Sequence, residues 1–83
     1  AEQAMQIMLD AALAQATELD EITGREVAVP ALLASQAAWE AFREAECDYA
    51  GALFGGGSGT GIGITSCRIE LTRARTRELT SRL

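Results

Sequence analysis

Residues 47–67 read CDYAGALFGGGSGTGIGITSC and hold the groups most suggestive of chemistry: a serine among glycines, and the chain's only two cysteines. Three catalytic readings fit such a stretch in outline, and each fails on residue identity. A phosphate loop needs GxxxxGK[ST], whose Lys reaches the phosphates, and this chain contains no Lys. A dinucleotide fingerprint needs GxGxxG. The pairs Gly57/Gly59 and Gly59/Gly61 are followed by Ile62 and Ile64 where the third glycine belongs. A nucleophile elbow needs GxSxG; Gly56 precedes Ser58 correctly, but Thr60 stands at the second glycine position. The chain also has no His. That absence removes the usual base for a serine or cysteine nucleophile and the commonest zinc ligand. No enzyme activity, metal or cofactor is expected, and the glycines read as conformational, supplying positive φ and close backbone approach.

Cys47 falls late in a helical stretch and Cys67 early in the next. Two antiparallel helices joined by a loop bring such positions side by side, which permits a disulfide if the Cα atoms lie within about 7 Å. The alternative is two buried free thiols. The pair lacks the CxxC spacing of a redox motif. The chain opens on Ala1-Glu2-Gln3 without an initiator Met, which fits either an exported, processed protein or a trimmed chain. A periplasmic or extracellular location is the expectation.

Trp39 and Arg43 are four residues apart and share a helix face. Arg43 can stack on the indole or reach a carboxylate, with Glu46 and Glu78 as candidates. The pair reads either as a half-buried core Trp edged by Arg or as an exposed recognition surface, since Trp and Arg are enriched at interface hot spots. Around it lie Glu40, Glu44, Glu46 and Asp48. Net charge is −5, unevenly spread: residues 1–48 carry ten acids and two Arg, residues 49–83 five Arg and two acids. The acidic part disfavours nucleic acid and suits a basic protein partner; the plain alternative is a solvated helix surface.

Eighty-three residues make one small helical domain, 1–83. Alanine is frequent, there is one Pro, and no apolar run approaches a membrane span. Residues 1–22 predict an amphipathic helix, with Met5, Met8, Leu9, Ala12, Leu13, Ala16 and Leu19 on one face and Gly24 as its cap. If the other helices leave that face uncovered, residues 5–19 would support a homodimer. Residues 25–29 read as a connection, extended before Pro30. Pro30 suits the first turn of a second helix, which runs on over residues 31–53. Leu32, Gln36, Trp39, Arg43 and Cys47 (or Glu46) form its stripe, widened by Leu33, Phe42 and Tyr49–Ala50. After a glycine loop, Ser58 or Thr60 caps a third helix whose face is Ile64, Cys67, Leu71, Ala74, Glu78 and Leu79. The fold expected is all-α, three helices, the second and third an antiparallel hairpin.

LLASQAAWEAFREAEC (residues 32–47), then GGGSG, then CRIELTRARTRELTSRL (residues 67–83), resembles the LprI-like lysozyme-inhibitor domain, a family of small bacterial envelope proteins. The resemblance covers residues 32–83. It implies an all-helical fold, export from the cytoplasm, a Cys47–Cys67 disulfide, and binding to a lysozyme. Residues 1–32 lack the Cys, Asn and Tyr common in the family's N-terminal region, so the first helix is expected to pack in its own way. A structural or interaction module of the envelope, without inhibitory activity, is the second reading.

Overall fold

The computed structural model describes residues 1–83 as three helices and no strands. Helix α1 spans Glu2–Thr23, α2 Ala28–Ala52 and α3 Gly59–Ser81. They run up, down and up, with α2 and α3 forming the antiparallel hairpin. No helix is long and apolar enough to cross a membrane.

The corner between α1 and α2 turns on one residue. Gly24, at φ 69°, ends α1 in the left-handed conformation, and its N–H donates to the Asp20 carbonyl. The Asp20 carboxylate then starts α2, accepting from the N–H groups of Ala28 (2.8 Å) and Val29 (3.0 Å). Pro30 follows with no N–H to satisfy, and Ala31 N–H reaches the Val27 carbonyl. Every donor of the first turn is thereby accounted for. The expected extended connection up to Val29 is corrected here. A cap supplied from α1 lets the helix begin at Ala28, and Pro30 sits in its first turn.

The glycine-rich stretch divides by role. Gly55 and Gly56 take positive φ (68° and 84°) and make the turn. Gly59 and Gly63 lie inside α3, one turn apart, and the Phe54 ring covers both. A Cβ added at Gly63 would stand 2.5 Å from that ring, and one at Gly59 2.9 Å. Gly51 does the same on α2, where a Cβ would stand 2.6 Å from Ile64 Cγ1. The expected hydroxyl cap is absent: the Ser58 backbone is already helical and makes no side-chain cap bond, and Thr60 lies within α3. The ring of Phe54, seated on bare backbone, holds this end instead.

Only nine residues are buried, and four of them are Gln36, Arg43, Thr72 and Arg75. The interior is thin because the helices are staggered. Ala1 and Glu2 lie beside Thr65, Arg68 and Thr72 of α3, so α1 begins level with the middle of α2. At the other end, grooves among residues 17–30 are lined by no α3 residue. The molecule is therefore 53 Å long and only 19 by 15 Å across. Leu33, Phe42 and Tyr49, expected to widen the core stripe, are 53%, 52% and 60% exposed; Phe42 and Tyr49 lie on the arc of α2 turned away from α1 and α3, and Leu33 lies on a different side of the helix. On α3, Thr72 and Arg75 take the inward positions expected of Ala74 and Glu78, which are exposed.

Candidate functional site

The polar stripe of α2 meets that of α3 in two linked clusters. In the first, Arg75 Nε donates to Gln36 Oε1 (3.0 Å), its Nη1 to Glu78 (2.6 Å) and its Nη2 to Ser35 Oγ (3.2 Å). Gln36 Nε2 points on towards Met5 Sδ at 3.8 Å, tying α1 to the hairpin. In the second, Arg43 Nη1 donates to Thr72 Oγ1 (2.9 Å) and to the carboxylate of Glu2. The Arg43 guanidinium stacks over Trp39, 4.8 Å from the ring centroid. Arg43 is thus held by all three helices. The Trp39–Arg43 contact read from the four-residue spacing is present. The carboxylate partner is corrected: it is Glu2, forty-one positions away, and not Glu46 or Glu78, the latter being paired with Arg75.

The buried guanidinium groups are each paired with a carboxylate and hydrogen-bonded, which lets their charge be tolerated inside the protein, although Arg43 Nε has no hydrogen-bond partner. Their carboxylate partners, Glu2 and Glu78, are themselves 61% and 51% exposed. Each cluster therefore runs from a buried Arg head to a solvated acid. A fixed set of donors and acceptors of this kind specifies helix register: sliding α3 by one turn would strand Gln36, Thr72 and both arginines.

Cys47 and Cys67 are joined in a disulfide between α2 and α3, with Cα atoms 5.4 Å apart. Cys47 is 1% exposed. The bridge, the Gly51–Ile64 contact and Phe54 together close the hairpin end.

The acidic residues separate. Glu40, Glu44 and Asp48 recur every four residues and line one edge of α2. Glu46 lies on the other edge. Glu44 is paired with Arg68 of α3, whereas Glu40 and Asp48 form no ion pair. A second acidic surface was not singled out from the sequence. Asp10, Glu18 and Glu21 flank a shallow groove along the outer face of α1. Their spacing of 8 and 3 residues was the available signal.

Asp20 is the one titrating group clearly displaced. The backbone N–H of Val29, then that of Ala28, hold its carboxyl below the ordinary 3.8. It serves the fold, and no cluster of His, Cys, Asp and Glu suited to a metal is present.

A family profile described as "Lysozyme inhibitor LprI" matches residues 1–79. The chain belongs to this family. The LprI match includes α1, so the first helix is part of the family pattern as well as residues 32–79. The LprI family is described by inhibition, not by catalysis. An uncharacterised protein of Rhizobium meliloti (strain 1021) is 42% identical over 52 residues, which are 63% of this chain and 37% of that protein. The chain thus spans well under half the length of this curated relative. No solved structure matches it.

The residues that carry the family likeness take on a physical meaning here. Gln36, Arg43, Thr72 and Arg75 are the polar interior, Trp39 and Glu78 close its edge, and Cys47–Cys67 is the bridge across it.

Proposed function

We propose that this chain is an exported binding protein that inhibits a lysozyme by covering part of it, without chemistry of its own. The observation that carries the reading is the family match over residues 1–79. Charge supports it: residues 1–48 carry a balance of −8, and a basic enzyme is drawn to such a surface and accelerated towards it. The contact proposed is the edge of α2 formed by Glu40, Glu44 and Asp48. Trp39 and Arg43 stand behind that edge as the pair that orients the helix, and Glu46 contributes from the opposite edge.

The test is inhibition of lysozymes of several types by the purified protein at low and high ionic strength. Saturable inhibition that weakens with salt is expected. The double variant Glu40→Lys/Asp48→Lys should lose it while keeping its melting temperature, since both groups are exposed and unpaired. Variants at Glu18 and Glu21 serve as a parallel set; loss there alone would move the contact to the outer face of α1. Absence of inhibition of every lysozyme at low ionic strength would defeat the proposal and leave a structural module of the envelope.

A further inference from the structure

The outward side of α2 carries a seam that, apart from the bond of Ser35 to Arg75, neither the interior nor the acidic edge explains. Ala31, Ala38, Ala45 and Ala52 recur every seven residues, and Ser35, Phe42 and Tyr49 fall between them. The spacing alternates four and three, the heptad register of a helix that packs along another helix. All seven residues are exposed. The side of a surface helix that faces water is ordinarily polar; this seam has no charged residue over three heptads. Its two large members, Phe42 and Tyr49, are 52% and 60% exposed.

We propose that this seam is a homodimer interface in which α2 packs antiparallel on α2 of a second copy. Size selects the partner and the direction. In the antiparallel register centred between residues 43 and 44, Phe42 lies over Ala45 of the other copy and Tyr49 over its Ala38. Ser35 lies opposite Ala52. Each of these layers joins a larger residue to an alanine, so the two backbones approach closely over residues 35–52; Ala31 lies beyond the paired span. A parallel pairing would set Phe42 on Phe42 and Tyr49 on Tyr49, holding the helices apart and leaving gaps at each alanine layer.

The flanking charges agree with this choice. In the antiparallel register Glu46 faces Trp39 of the other copy and Asp48 faces Ala41, so no carboxylate opposes another. The aromatic rings of both copies, about 100 Å² of exposed surface each, together with the alanines and Leu53, amount to about 1,000 Å². That is the lower limit for specific association, so the dimer is weak and concentration-dependent. Glu40 and Glu44 lie away from the seam and stay open in the dimer.

Sedimentation velocity on the full chain, across a concentration series up to about 1 mM, tests the proposal. A monomer–dimer equilibrium is expected. It should tighten as salt rises, because two copies each of net charge −5 repel. Lysozyme binding would weaken with salt, so the two ideas fail separately. Ala45→Glu should weaken the dimer at least tenfold by placing a carboxylate under Phe42, and Phe42→Ala should weaken it as well. Both leave helix content and melting temperature close to the parent, because the side chains are exposed. A chain that remains monomeric throughout the series overturns the proposal. So does a dimer that Ala45→Glu and Phe42→Ala leave untouched.

Discussion

Replacing Gly51 by alanine is expected to destabilise the protein, and replacing Gly61 by alanine to stabilise it, although both glycines are helical. Helix propensity alone favours both changes, by about 1 kcal/mol in a helix interior. Space separates them. At Gly61 an added methyl meets nothing within 4 Å. It lies in the first turn of α3, so the gain is smaller, about 0.5 kcal/mol. At Gly51 the methyl would stand 2.6 Å from Ile64 Cγ1 and 2.9 Å from its Cδ1, against a carbon–carbon optimum of roughly 3.5–4 Å. Ile64 cannot swing aside freely, because a β-branched side chain in a helix has one favoured rotamer. The hairpin must open instead, next to the disulfide that holds it shut. Overpacking of this kind costs about 1–3 kcal/mol, which outweighs the propensity gain and leaves a net loss of about 1 kcal/mol. In a domain of this size that lowers the melting temperature by roughly 4–8 °C, while Gly61→Ala raises it by about 2–4 °C. Thermal unfolding followed by circular dichroism reads both. A Gly51→Ala variant that melts at or above the parent temperature refutes the close-approach reading of this glycine.

Three further outcomes follow from the same structure. Cys47→Ala/Cys67→Ala should lose about 3 kcal/mol in urea unfolding, the chain-entropy value for a loop of this length, and reducing agent should then have no further effect. Arg75→Ala strands the buried Gln36 oxygen and should cost about 1–3 kcal/mol; Arg75→Lys should restore little of it, lacking the fork that reaches Gln36, Glu78 and Ser35 together. Asp20→Ala should lower the melting temperature at neutral pH. Because the folded carboxyl titrates below its ordinary 3.8, its contribution is present above that value and fades as pH falls through the lowered one. The gap between parent and variant should therefore close in acid.

The helices were legible because their signals are local. Alanine-rich runs with apolar spacing, Gly24 and Pro30 mark α1 and α2 within a few residues, and the Trp39–Arg43 contact follows from their separation of four. What escaped was long-range. The cap of α2 is supplied by a carboxylate eight residues back on another helix. The acid of Arg43 lies at the start of α1. The packing of Gly59 and Gly63 under the Phe54 ring, which occupies the space their side chains would fill, has no local signal either. The core stripe of α3 was misjudged at Ala74 and Glu78 for a related reason. Apolarity marks Ala74 as inward and helical spacing marks Glu78, whereas four of the nine buried residues are arginine, glutamine or threonine. Of the candidate surface, the separation of Glu46 from Glu40, Glu44 and Asp48 follows from helical spacing, while the pairing of Glu44 with Arg68 needed the position of α3.

The stagger of the helices also sets where the molecule opens. Both ends are only two helices thick, but they are fastened differently. The hairpin end is closed by a covalent bond and by a phenyl ring on bare backbone. The corner end is closed by two hydrogen bonds to the Asp20 carboxylate, with no α3 residue behind them. Amide exchange should therefore be faster at Ala28, Val29 and the last turn of α1 than around Cys47. Breathing of the protein should then be a one-sided hinge, in which the α1–α2 corner loosens while the α2–α3 hairpin stays shut.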